Sequence, residues 1–221
     1  MFNTSICKHP GCKKTALSVY TQDGTFNEGR GFCFEHIQDK DQLLESMYKY
    51  VLANEKIVGL TAIGMELSNV DFDNKKLYGC NFQNCKFFNI KIHNFRARMC
   101  MFDFSTIADC SFLQSNVQFT SFAGCTFSHV LFTGSDLISC NFTGVNAYQS
   151  SFDDTDLYNS RFIRTNLQNT SMRNCNLKKT IFYDFKRQGS SFKLSNTREA
   201  LFSRDPNVTL SEIEAIARED N

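Results

Sequence analysis

The chain has 221 residues, a formal net charge of +1, 42% hydrophobic residues and ten cysteines. This near-neutral balance excludes a strongly polyanionic or polycationic chain, and no apolar run approaches the roughly 20 residues that span a bilayer. The start, 1–14, lacks the apolar stretch of a secretory signal, so a cytoplasmic protein with ample material for one continuous core is expected.

The segment 1–38 carries three cysteines in two short motifs, Cys7-Lys8-His9-Pro10-Gly11-Cys12 and Cys33-Phe34-Glu35-His36. Two pairs of soft ligands, each closed over a short loop and separated by a longer excursion, form the plan of a structural zinc site. Cys7, Cys12, Cys33 and His36 give a closed Cys₃His tetrahedron, with His9 as an alternative ligand. Four ligands leave no open catalytic position, and the absence of a Cys-x-x-Cys motif speaks against a redox pair. The segment has too few apolar residues to fold alone.

The next stretch, 39–56, reads as a helix. Asp39 with Gln42 resembles a capping box, and Leu43, Met47, Val51 with Leu44, Tyr48, Leu52 form an apolar stripe at i, i+4 spacing. This helix is expected to cap the first coil of the repeat region that begins at 57.

From 57 to 203 the chain keeps a period of five. An apolar residue stands at every fifth position from Leu67 to Phe182, a spacing that fits neither a helix nor a strand. Two residues before each lies a small side chain, such as Cys80, Ser105, Thr120 or Cys140, with Lys75, Ile90 and Phe95 as irregular members. Seven of the ten cysteines fall in this small register. They read as free thiols used for packing, because stacked coils hold Cβ atoms about 4.8 Å apart, beyond disulfide reach. The large register breaks at Arg187, resumes at Phe192, breaks at Thr197 and closes at Phe202.

Stretches such as Cys140-Asn141-Phe142-Thr143-Gly144, Thr155-Asp156-Leu157-Tyr158-Asn159 and Thr165-Asn166-Leu167-Gln168-Asn169 resemble the pentapeptide-repeat family, over about Leu60 to Phe202. The resemblance implies an all-β solenoid, a right-handed quadrilateral β-helix with four pentads per coil. A spacing of twenty then stacks Phe82, Phe102, Phe122, Phe142, Phe162 and Phe182 into one core ladder. Opposed columns match in residue character and adjacent ones differ, as a square cross-section requires. Past the rod, 204–221 reads as a tail in which Pro206 ends the regular structure. Ser211-Glu212-Ile213-Glu214 opens a short helix there, so helices are expected at both ends. The family resemblance implies a possible homodimer through this C-terminal end.

For function, the sequence shows no nucleophile–base constellation, phosphate-cradling loop or acidic metal pair. His93 and His129 fall at outward positions. A non-enzymatic rod presenting a surface to an unidentified protein partner is the expectation. Outward residues Tyr148, Tyr158, Arg161, Arg164 and Arg173 mark a candidate interaction surface, and Lys178 and Lys179 extend its basic part toward a nucleic-acid reading. The family's best-known members resemble duplex DNA and bind DNA gyrase. Mimicry needs a strongly negative surface, whereas basic residues here at least match the acidic ones, with a local acidic band at Asp136, Asp153, Asp154 and Asp156.

Overall fold

The computed structural model describes residues 5–20, 26–27 and 31–202. The repeat region winds into a four-sided parallel β-solenoid of about seven turns. Every ladder pairs residues twenty apart, as in Lys56↔Lys76, Lys76↔Arg96, Arg96↔Asn116 and Asn116↔Asp136. We number the faces in chain order from the coil that begins at Ile57. Face 1 is a five-stranded sheet whose inward residues are Ile57, Leu77, Ala97, Val117 and Leu137. Face 3, opposite, is seven-stranded and runs inward through Leu67, Phe87, Ile107, Phe127, Ala147, Leu167 and Arg187.

Faces 2 and 4 meet successive coils mostly through single bridges, such as Asn81↔Met101↔Ser121↔Asn141 and Leu131↔Ser151↔Ser171. These are the Phe-rich faces. Opposed sides therefore match in backbone conformation as well as residue type. On face 2 the rings stack at 5.1, 5.0, 5.3, 4.7 and 5.0 Å from Phe82 to Phe182, and at 4.9 Å onward to Phe202. Successive planes lie within 14° of one another, so each ring is held at offset-stacking distance. Phe112, Phe132 and Phe152 repeat the arrangement on face 4 at 5.1 and 5.0 Å. Edge-on contacts such as Phe142–Phe152 at 5.6 Å tie the two ladders together across the tube.

The small inward register does more than leave room. Ser160 Oγ donates to the Leu137 carbonyl at 2.6 Å and accepts from the Cys140 N–H at 2.9 Å. Ser105 and Ser135 bridge the preceding coil in the same way. Cys85, Cys125 and Cys175 donate to the equivalent carbonyl at 2.9, 3.0 and 2.9 Å. Corners take backbone groups out of the ladders, and a buried polar group without a partner is costly. Hydroxyls and thiols at this position supply that partner, which is why Ser, Thr and Cys recur in the small register.

A third register sets the corners. Every fifth residue from Gly59 to Glu199 has a positive φ, between 46° and 79°. Gly, Asn and Asp dominate there because they tolerate left-handed backbone. Two irregular pairs also find their reason. Phe95 in the small register sits beside Ala97 in the large one, and both are buried; the rod exchanges large for small and keeps the volume. Phe185 compensates Arg187 likewise, its ring 5.3 Å from Phe182.

The N-terminal end is closed by two elements. Helix α1 spans Lys40–Ala53, and its N-cap Asp39 accepts from the Gln42 N–H at 2.8 Å. Leu43, Met47 and Val51 join the buried cluster of Ile57, Leu60 and Phe72. The expected stripe is narrower than its spacing suggests: Leu44 and Tyr48 are half-buried and Leu52 is 67% exposed, because the helix rests on a flat coil end. Lys75, the irregular small-register lysine, sends Nζ to the Leu52 carbonyl at 3.0 Å, where a cation meets the negative end of the helix. Beside the helix, Ser18 covers the open edge of the first coil. Its N–H donates to the Thr61 carbonyl at 2.9 Å and its Oγ accepts from the Thr61 N–H at 2.8 Å. The expected C-terminal helix opening at Ser211 and any dimer contact through it lie outside the described residues.

Candidate metal centre and exposed surface

The N-terminal segment folds as a narrow hairpin followed by a tight turn. Ile6 bridges Thr15, and the Cys7 N–H donates to the Lys14 carbonyl at 2.9 Å. Gly11, at φ 77°, turns the chain so that Cys12 comes back toward Cys7. The Lys8 N–H reaches the Gly31 carbonyl and the Leu17 N–H the Phe32 carbonyl, which places Cys33 against the hairpin. The His36 N–H then donates to the Cys33 carbonyl at 3.0 Å and closes the second pair.

These turns gather Cys7, Cys12, Cys33 and His36, with one donor atom from each lying within 4.8 Å of all the others. His36 Nδ1 sits 3.5 Å from the Cys7 Sγ and 3.3 Å from the Cys33 Sγ, and the Cys12 and Cys33 sulfurs are 3.9 Å apart. A tetrahedral ion at ordinary zinc distances sets sulfur–sulfur edges of about 3.8 Å and sulfur–nitrogen edges of about 3.6 Å. The donor set fits such an ion in both chemistry and size.

Burial works to raise the Cys7 thiol. Hydrogen bonds from the backbone at Cys33 and His9 and from the His36 and Cys33 side chains outweigh it and bring the group down to about 6. That favours the thiolate a metal takes. His9, the alternative ligand, is outside the group: its ring stacks on His36 at 3.8 Å and its Nδ1 faces the Pro10 carbonyl at 3.0 Å. Phe34, inside the second motif, lies against Gly64 at the corner of faces 2 and 3 in the first coil; a Cβ at Gly64 would sit 3.6 Å from its ring. The Cys/His centre is thereby braced on the rod.

The five residues of the expected interaction surface are not brought together. Tyr148 lies on face 3, Tyr158 on face 1, Arg161 on face 2, Arg164 at the corner of faces 2 and 3, and Arg173 on face 4. Outward positions close in sequence point in different directions, because each pentad turns the chain by one side. The basic residues are also paired or spread: Arg164 faces Asp184 at 3.7 Å, and Lys178 and Lys179 share Glu199 at 3.7 and 3.9 Å. The acidic band is absorbed into polar ladders, with Asp136 accepting from Asn116, Asp153 from Ser171, Asp154 from Asn174 and Asp156 from Asn176. His93 and His129 are exposed and stand beside Asp73 and Asp109.

The sequence pattern of pentapeptide repeats matches in eight copies, over residues 110–146 and 140–178. Residues 110–178 are pentapeptide repeats. Solved structures similar to the chain include full-length QnrB1, a plasmid-mediated fluoroquinolone resistance protein. That likeness has 14% identity and a TM-score of 0.29, and covers 71% of this chain and 88% of that one. A second is HetL, a pentapeptide-repeat protein involved in heterocyst differentiation regulation in the cyanobacterium Nostoc, with 12% identity, a TM-score of 0.26 and coverage of 72% and 95%. A comparison with curated proteins found no match. No helix among the described residues is long and apolar enough to cross a membrane.

Proposed function

We propose that this pentapeptide-repeat protein is a non-enzymatic protein-interaction module, a rod whose N-terminal end is locked by a structural zinc ion on Cys7, Cys12, Cys33 and His36. The observation that carries the reading is the filled interior. Stacked rings from Phe82 to Phe202 occupy the tube, and the polar side chains outside are tied into ladders, so recognition belongs to the outer faces. Reduced thiols used throughout as packing units suit a reducing, cytoplasmic setting. The alternative, modulation of DNA gyrase by duplex mimicry, lacks the negative surface it needs.

Three measurements test the proposal. Metal analysis of the purified protein should give close to one zinc equivalent, and less than about half an equivalent would count against the centre. Affinity capture from the native organism should retain a protein partner, and a gyrase supercoiling assay should show no change at micromolar protein. A shifted supercoiling curve would reverse the order of the two readings.

A further inference from the structure

The corner between faces 1 and 2 combines two unfavourable features. Met99 and Phe119 follow one another there in successive coils, each at φ 52° and each 60% exposed. Across face 2, Phe104 occupies the other corner at φ 61° and 66% exposed. Its ring lies over Gly124, where an added Cβ would meet it at 2.6 Å. Half-buried Met101 stands between them on the face. Elsewhere the left-handed corners carry Gly or a polar residue, Leu194 being the other apolar exception among the described residues. A large apolar side chain at such a corner is strained and gains little from burial, a combination that collects at functional surfaces.

Face 1 beside this patch carries a ladder of like charges. Lys56, Lys76 and Arg96 are direct partners in successive coils, an arrangement that costs stability, and Arg98 borders Met99. Glu55 pairs with Lys76 at 2.5 Å. Asp103, the carboxylate on the apolar side, is already engaged by the Ala123 N–H at 2.9 Å and the Gln83 amide at 3.3 Å. One edge of the rod thus presents cations on one side and apolar side chains on the other, both running along the axis.

We infer that this edge is the docking surface of the module proposed above and that its occupant is an amphipathic segment of a partner protein. Its acidic side chains meet Lys56, Lys76, Arg96 and Arg98, and its apolar ones seat on Met99, Phe104 and Phe119. The inference rests on the interaction-module reading and adds to it the surface and the partner's chemistry. Charge complementarity selects the acidic face. Unbranched methionines beside exposed rings suit aliphatic or aromatic side chains of a peptide. Coils about 4.8 Å apart place the three apolar residues within about 5 Å of one another along the axis, the reach of one turn of helix or two residues of strand, with Phe104 set off from Met99 and Phe119 by the width of face 2.

The test compares the full-length protein with the triple variant Met99→Asn, Phe104→Asn, Phe119→Asn, which gives each corner a residue that its backbone tolerates. The melting temperature should be unchanged or higher. A fluorescein-labelled peptide alternating Glu with Leu and Phe, followed by anisotropy, should bind the wild type. It should bind the triple variant at least about tenfold more weakly, and show a weaker salt dependence in Arg96→Ser, Arg98→Ser. Equal affinity in the triple variant, no binding to the wild type, or preference for a labelled oligothymidylate would overturn the inference. A lowered melting temperature would overturn the reading of these corners as strained. Capture from lysate separates the two levels: a partner held equally by wild type and triple variant removes this surface and leaves the module intact, whereas no partner on either removes the module itself.

Discussion

Ser160 shows what one residue does in this rod. Its hydroxyl joins a carbonyl and an N–H of the coil before it, so Ser160→Ala removes both partners at once and leaves two buried backbone groups unsatisfied. The expected loss is about 1–3 kcal/mol, read as a lowered denaturation midpoint, with Ser160→Cys milder because the thiol keeps the donor. Leu194 makes the opposite case. It is 72% exposed at φ 63°, so Leu194→Gly should stabilise the rod by roughly 0.5–1 kcal/mol, and a lowered midpoint would refute the strain assigned to it. The inward registers are legible in the sequence because burial forces size and polarity at fixed spacing. The corner register is not. Gly, Asn and Asp there look like any outer surface, and only the backbone shows that Met99, Phe104 and Phe119 share a conformation with them.

At the scale of elements, the exchange of Phe95 with Ala97 is testable. Phe95 is 3% exposed and contacts Phe72 and Phe112 at 6.1 and 6.2 Å. Phe95→Ala should cost about 3–5 kcal/mol. Adding Ala97→Phe restores the regular order of large and small, and should recover at least about 1 kcal/mol, a coupling that denaturant unfolding of the three variants measures. The helix is legible from Leu43, Met47 and Val51, which do bury. Leu52 departs from the stripe, since spacing cannot say how wide a strip a flat coil end covers. The Cys/His group is legible from spacing: two local turns close the pairs Cys7/Cys12 and Cys33/His36, and the Lys8–Gly31 and Leu17–Phe32 backbone bonds bring the pairs together. Spacing leaves His9 open, because sequence does not tell a member of the Cys/His group from a ring stacked on one. The residues of the expected partner surface are spread for a geometric reason: neighbours in sequence are sent to different faces.

At the scale of the whole molecule, the buried thiols set the response to alkali. Burial pushes Cys85, Cys125, Cys140 and Cys175 from the ordinary 9.0 up to about 12. In the unfolded chain they ionise near their ordinary value. Their contribution to stability is therefore full below about pH 9 and is lost as the pH rises toward 12. Urea midpoints should be flat with respect to these groups from neutral pH to about 9 and then fall, and Cys140→Ser should flatten the fall. A thiol reagent at pH 8 should leave the seven rod cysteines unmodified until the protein unfolds; rapid modification of the native rod would contradict their burial.

Because each ladder joins residues twenty apart, length and orientation are separable quantities in this protein. Excising residues 126–145 shortens the rod by one coil and leaves every later side chain on its original face. Excising only 141–145 turns everything downstream through a quarter revolution, so that Arg161 moves to the side now held by Arg96 and Asp136. The chain works as a screw whose thread can be cut only at whole turns without re-aiming its far end.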